Sequence, residues 1–256
     1  MHMRTKKWAR PELKACPFFE PEGENRKGHW REAFAVPDRP LHLEMGCGKG
    51  VATAQMVAAN PEVNYVAVDI SQDVLGDTRR NIVKIGGDDP DNVMILFADI
   101  CLIDHYFDRR DNPERIYISF CNPWTEHPKH EKRRLTHPRQ LIQYRSMLSR
   151  NGEIWFKTDD ESLFQDSLAY FDICGFEMIF LTHDLARCGF QPNYISEHEM
   201  KYTAQGIPIK FAVFRMTEKA PDFDPTRFRM TPGLRKETLK KLGYNKESGI
   251  KQAPET

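Results

Sequence analysis

An α/β fold, with one mostly parallel sheet of seven strands covered by helices on both faces, is predicted by three features of this 256-residue chain. From about residue 40 to residue 174, short apolar runs alternate with amphipathic stretches of helical period. Strands that alternate with helices require crossover connections, which make parallel neighbours. A cluster of glycines stands between the first apolar run and the first amphipathic stretch, where such folds turn from strand to helix. After residue 176 the alternation stops, and two strand-like segments are separated only by a loop, which places one antiparallel strand at the sheet end.

Taken in order, the strands are expected at 41–45 (LHLEM), 64–69 (NYVAVD), 92–98 (NVMILFA), 115–121 (RIYISFC), 153–157 (EIWFK), 176–184 (FEMIFLTHD) and 207–216 (IPIKFAVFRM). Helices are expected up to about residue 60 and over 72–85, 138–150 and 161–174. Residues 37–219 therefore make the domain. Residues 1–36 hold Arg4, Lys6, Lys7, Arg10, Lys14, Arg26, Lys27 and Arg31 against fewer acids, with several prolines and glycines, and read as an irregular basic arm. Residues 220–256 read as a basic tail, free to move, with one short helix near 232–242.

Apolar residues at 40% and charged residues at 29% suit a globular chain that can close a core. No run approaches the roughly 18 apolar residues of a membrane span, and the N-terminus lacks the apolar stretch of a secretory signal, so a cytoplasmic location without membrane contact is expected. The six cysteines are scattered singly, which suggests reduced thiols and neither a disulfide framework nor a metal site. Lys plus Arg equals Asp plus Glu at 37 each, so a polyanion partner would have to be attracted by a local patch.

The stretch LEMGCGKG places Gly46, Gly48 and Gly50 after the first strand, two residues beyond Glu44. Glycines let the backbone turn sharply and a ligand approach closely. An acid just before the loop would repel a pyrophosphate and suits a cation, which points to a sulfonium or amino-acid-bearing cofactor. Asp69 ends the second strand, where folds of this kind hydrogen-bond a ribose, and Asp99 follows the third strand at the same edge, placed to meet an adenine amine. The arrangement resembles the class I S-adenosylmethionine-dependent methyltransferases, a Rossmann-like fold.

The fourth strand runs into Asn122, Pro123 and Trp124, offering an amide and an indole beside that cofactor edge. Lys129, His130, Lys132, Arg133, Arg134 and Arg139 follow, a cluster suited to phosphates. A planar base stacked on the indole with its edge on the amide would use this turn as a pocket with a phosphate-binding rim.

Asn-Pro-Trp, HPKHEKRRLTHPRQL, FKTDD (156–160) and SEHEMKYTAQGIPI (196–209) together resemble the bacterial tRNA (guanine-N7) methyltransferases over about 38–216. The resemblance implies methyl transfer from S-adenosylmethionine to N7 of the variable-loop guanine at tRNA position 46, by a monomer or homodimer. It implies cofactor contacts from Glu44, Asp69, Asp99 and Asn122, the last also near the base, and guanine contacts from Asp159 and from Ser196, Glu197, His198 and Glu199. This sequence departs from the family's usual Asp-Pro-Trp-Pro-Lys in having Asn122 and one extra residue. Glu126 takes the offset of the substrate lysine, and Lys129 is its stand-in. His198 replaces a tyrosine. The bland alternative for residues 196–199 is a polar loop or helix cap.

Guanine N7 carries no proton, so catalysis there asks for positioning more than for a base, and Asn122, Asp159 and Glu199 are the expected catalytic residues. Three rival readings are a class I methyltransferase acting on a protein amide or small molecule, a dehydrogenase, and a non-catalytic RNA-binding subunit with a vestigial fold. The glycine spacing and Glu44 speak against the dehydrogenase, and the basic run against an amide substrate.

Overall fold

The computed structural model describes residues 5–87 and 89–244 and the backbone of 250–252. Residues 1–4 of the expected arm and 245–249 and 253–256 of the expected tail lie outside the described residues. Along the chain come α1 (Ala9–Lys14), β1 (Phe19–Glu20), β2 (Leu41–Met45), α2 (Val51–Ala59), β3 (Asn64–Asp69), α3 (Gln72–Gly86), β4 (Val93–Phe97), β5 (Arg115–Ser119), α4 (Pro138–Met147), β6 (Glu153–Thr158), α5 (Glu161–Ile173), β7 (Phe176–Thr182), α6 (Leu185–Cys188), α7 (Glu197–Ala204), β8 (Lys210–Met216), α8 (Pro232–Lys241) and β9 (Ile250–Gln252).

The strands form one sheet in the order β1-β4-β3-β2-β5-β6-β8-β7-β9. From β2 the chain steps outward through β3 to β4, then returns to lay β5 against the other side of β2, all in parallel. That reversal opens a crevice at the carboxyl ends of β2 and β5, the place where open α/β sheets bind ligands. All five residues of β2 are buried, as both faces of a parallel sheet demand. Even His42 is enclosed, between Tyr65 and Tyr117, and burial with the nearby Arg115 charge pushes it down to about 3, so it is a neutral core residue.

The seven expected strands make the body of the sheet, and the two short strands β1 and β9 extend its edges. Strand β8 is antiparallel to both β6 and β7 and sits between them, one place inside the expected end position. The physical reason is the α5 crossover, which sets β7 parallel and two places out, leaving a gap that the returning chain fills.

The N-terminal segment is not an irregular arm. Ala9, Leu13, Cys16, Phe18, Trp30 and Phe34 are buried, and Trp30 stacks on Phe107 at 5.0 Å between centroids. Asp111 fixes the segment by accepting from the backbone N–H of Gly28 at 2.9 Å and of Trp30 at 3.0 Å. Several bases that looked free are spent internally, Arg26 on Glu20 and Arg31 on Glu114. The C-terminal segment is likewise docked as far as residue 244. Phe228 packs on His137 and Tyr170, Lys241 pairs with Asp172 at 2.7 Å, and the Tyr244 hydroxyl donates to Glu161 at 2.7 Å. No helix among the described residues is long and apolar enough to cross a membrane.

Because Trp30 belongs to the same core as the sheet, Trp30→Ala is expected to cost about 3–5 kcal/mol of global stability. Denaturant unfolding followed by far-UV circular dichroism checks this; a cost below about 1 kcal/mol would mean that the N-terminal segment is an appendage.

Candidate active site

The glycine loop takes its shape from backbone bonds to β3. Gly46 and Cys47 both donate to the carbonyl of Val68, at 2.9 and 3.0 Å, which bends the chain over the strand end. Gly46, Gly48 and Gly50 all have positive φ (81°, 56° and 68°). A Cβ on Gly50 would lie 2.8 Å from the backbone of Thr78, so α3 can approach the loop only because this position is bare. Asp69 then ties the loop down, accepting from Gly48 N–H at 3.1 Å and from Ser71 N–H at 2.9 Å. Burial raises its pKa against the opposing effect of those bonds.

Glu44 is 4% exposed and lies beneath this loop, where the Thr53 hydroxyl donates to it. Burial pushes its carboxyl up to about 7; Thr53 and the Lys157 charge counter that shift, and Asp69 adds to it. A cation arriving here would favour the ionised form.

Asp99 caps a 3-10 turn through Cys101 N–H at 2.9 Å and borders a cavity of ≈ 570 Å³. Ile70, Phe97 and Tyr106 line it on the sheet side, and residues 21–25 close it from the N-terminal segment. Ile70 is 62% exposed, a largely uncovered apolar side chain at the carboxyl edge. Neither it nor residues 21–25 stood out in the sequence, although an isoleucine directly after the strand-end Asp69 was an available signal.

The second half of the crevice is the turn after β5. The strand ends at Ser119, two residues short of expectation, because Phe120 adopts φ 54°. Trp124 also has positive φ, 48°, and the two left-handed residues bracket Cys121, Asn122 and Pro123. Non-glycine residues in this region carry strain that the surroundings must impose. Asn122 relieves part of it locally, its side-chain carbonyl accepting from Trp124 N–H at 2.9 Å. Asn122 is exposed, so its amide nitrogen remains available to a ligand.

The Trp124 indole is half-buried, with the Arg133 guanidinium over its ring at 5.2 Å from the centroid and the His130 ring in a T-shaped contact at 5.8 Å. One expectation about this loop requires correction. Arg134 is not part of a phosphate rim. It is 2% exposed, its Nη1 donates to Asp166 at 2.7 Å and its Nε donates to the Pro123 carbonyl at 2.6 Å. Lys129, Lys132, Arg133 and Arg139 are exposed, and His130 is half-buried.

Helix α7 brings the remaining expected residues over the crevice. Ser196 is its N-cap, the hydroxyl accepting from Glu199 N–H at 3.1 Å, so the cap reading holds for this residue. Glu197 pairs with Lys49 of the glycine loop at 2.7 Å, and the His198 ring lies 5.5 Å from that of Phe120. Glu199, expected to face guanine, is instead 3% exposed with both oxygens engaged, by Lys157 at 3.1 Å and by Asn193 at 2.8 Å. Lys157 also donates to the Tyr194 carbonyl at 2.9 Å; burial lowers its pKa, while Glu199 opposes the shift. Asp159 contrasts with this closed network. It is half-buried, its backbone carbonyl accepts from Lys210 at 2.8 Å, and its carboxylate is unbonded among the described residues.

Glu44 supplies a test of this geometry that needs no ligand. Its folded pKa is raised, so its charged form is disfavoured in the fold and stability falls as pH climbs from the unfolded value near 4.5 through about 7. Glu44→Gln is therefore expected to gain up to about 3 kcal/mol on wild type between pH 4.5 and pH 8. Urea unfolding of both proteins at the two pH values measures this, and a difference independent of pH would contradict the assigned burial.

Comparison with known proteins agrees with this architecture. A sequence model of a putative methyltransferase family matches residues 38–212. The tRNA (guanine-N(7)-)-methyltransferase of Clostridium perfringens strain SM101 is 48% identical over 216 residues, 83% of this chain and 98% of that protein. The protein of the same name from Ruminiclostridium cellulolyticum is 44% identical over 223 residues, 86% of this chain and 94% of its own. Among solved structures, the 16S rRNA methyltransferase KamB superposes with a TM-score of 0.51 at 9% identity, covering 84% of this chain and 95% of its own, a likeness of fold alone. With a crevice at the sheet reversal, a glycine loop over a buried acid and this degree of identity, the chain belongs to the tRNA (guanine-N(7)-)-methyltransferase family.

Proposed function

We propose that the crevice binds S-adenosylmethionine along the carboxyl edge of β2, β3 and β4 and presents it to N7 of a guanine in tRNA. The observation that carries this reading is the convergence on one edge of the glycine loop, the 122–124 turn and α7, held together through Lys49, Phe120 and Lys157. The residues fit the donor chemically. Glu44 offers a carboxylate to the cationic amino-acid end. Asp69 spends one lone pair of each oxygen on backbone N–H groups and keeps the others for ribose hydroxyls. Ile70 and Phe97 give an apolar floor for adenine, with Asp99 at its amine.

When bound, the donor would supply an electrophilic methyl group to the N7 lone pair, the S–CH3 bond breaking as the N7–CH3 bond forms and the sulfur leaving as a neutral thioether, with no proton to be removed. The protein's part is therefore to hold the purine in line and to accommodate the positive charge the purine acquires. Asn122 stands at the junction, exposed and with its side-chain carbonyl taken by Trp124 N–H, which leaves its amide nitrogen to meet the ligand. Asp159, with its unbonded carboxylate, suits the N1–H and amino group of guanine. Glu199 acts one step back, by holding Lys157 and the start of α7. Lys129, Lys132, Arg133 and Arg139 meet tRNA phosphates.

Incubation with unmodified bulk tRNA and labelled donor, followed by nucleoside analysis, is expected to place label in 7-methylguanosine; label in another nucleoside, or none, contradicts the assignment. Asp159→Ala is expected to slow methylation by roughly 100-fold while calorimetric donor affinity stays within about twofold, and parallel losses of both would remove it from the guanine site. Lys132→Ala combined with Arg133→Ala should flatten the salt dependence of tRNA binding by about two ion equivalents, whereas an unaltered slope places them off the interface.

A further inference from the structure

Three charged side chains run from the outside of the molecule to the 122–124 turn. Asp166, in the middle of α5, is 1% exposed. Its Oδ2 accepts from Arg134 Nη1 at 2.7 Å, and its Oδ1 lies 2.5 Å from Arg235 Nη2 on α8, an ion pair without hydrogen-bond alignment. Arg134 then donates through Nε to the Pro123 carbonyl at 2.6 Å. Enclosing an acid between two guanidiniums costs several kcal/mol per ion in desolvation, and apolar side chains would pack the same space at no such cost. The cluster ends on a backbone carbonyl inside the strained turn, which lies outside the regular strand ladder. A planar guanidinium can hold an acid and a carbonyl at fixed angles at once. Helix α8 lies beyond residues 38–212, the stretch that the family's sequence model matches.

We propose that α8 is a positioning element for the substrate turn: Arg235, acting through Asp166 and Arg134, holds the Pro123 carbonyl and so the orientation of Asn122 and Trp124. If Arg235 is removed, Oδ1 of Asp166 becomes a buried oxygen with no cation beside it. The carboxylate then turns both oxygens toward Arg134, drawing that guanidinium off Pro123. A cluster that merely glued α8 to α5 would leave the turn where it is.

The test uses the full chain labelled with 5-fluorotryptophan, whose four tryptophans, Trp8, Trp30, Trp124 and Trp155, give separate fluorine resonances, with Trp124→Phe to assign the one of interest. Arg235→Ala is the variant of choice because its side chain is 35% exposed, whereas Asp166→Asn would strand two guanidiniums. The Trp124 resonance is expected to shift or broaden in Arg235→Ala while the other three hold, and Arg235→Lys should restore it. Should Arg235→Ala lose its near-ultraviolet dichroism, Arg235→Gln is read in the same way. The functional half rests on the methyl-transfer reading: single-turnover methylation of bulk tRNA should fall about tenfold in Arg235→Ala, with donor affinity held within about twofold. A Trp124 resonance that stays in place, or methylation equal to wild type, overturns the proposal. Absence of methylation by the wild type as well counts against the assigned reaction instead, and leaves the resonance to decide.

Discussion

The ion pair between Lys157 and Glu199 is the interaction on which the site depends. Both groups are nearly out of solvent, at the end of β6 and the start of α7, and each is further satisfied by the 193–194 segment. A buried pair of this kind contributes little net stability over apolar packing, but losing one partner is expensive. Its consequence is geometric. It pins the first turn of α7 over the crevice, from which Glu197 reaches the glycine loop and His198 reaches Phe120. The glycine loop and the 122–124 turn are thereby held in one register. Adjacent to the pair, the Lys157 carbonyl accepts from Phe120 N–H at 2.9 Å, extending the β5–β6 ladder to the residue where the turn begins.

The same edge shows a division of labour among acids. Glu44 is buried and near neutrality, Asp69 is bonded to backbone, Glu199 is locked to Lys157, and Asp159 is left open. Environment, more than residue type, separates the acids engaged within the fold from the one left open to a ligand. The terminal segments join this scheme. Residues 21–25 close the cavity beside Asp99, and α8 sets a charge against α5 behind the 122–124 turn.

Much of this was legible in the chain. Strands β2 and β3 begin and end where their apolar runs do, since a doubly covered parallel strand has no polar interruption to blur its limits. The glycine loop and its acids were legible because strand-end positions repeat along the sheet edge. Hidden features were those set by distant partners. Arg134 sits in a basic run that reads as surface, and it is taken inside by distant partners, chief among them Asp166, 32 residues on. Glu199 follows a helix-cap pattern, yet its carboxylate turns to Lys157 instead of its own helix. The N-terminal bases read as an irregular basic arm, and the apolar Leu13, Phe18 and Trp30 between them are what fold it down.

The proposed function places a sulfonium donor along the carboxyl edge of β2, β3 and β4. A crystal structure of the protein with S-adenosylhomocysteine tests that most directly. The ammonium should sit at the glycine loop near Glu44, the ribose at Asp69 and the adenine over Ile70 and Phe97. Ligand density at any other face, with this edge closed by side chains, would contradict it.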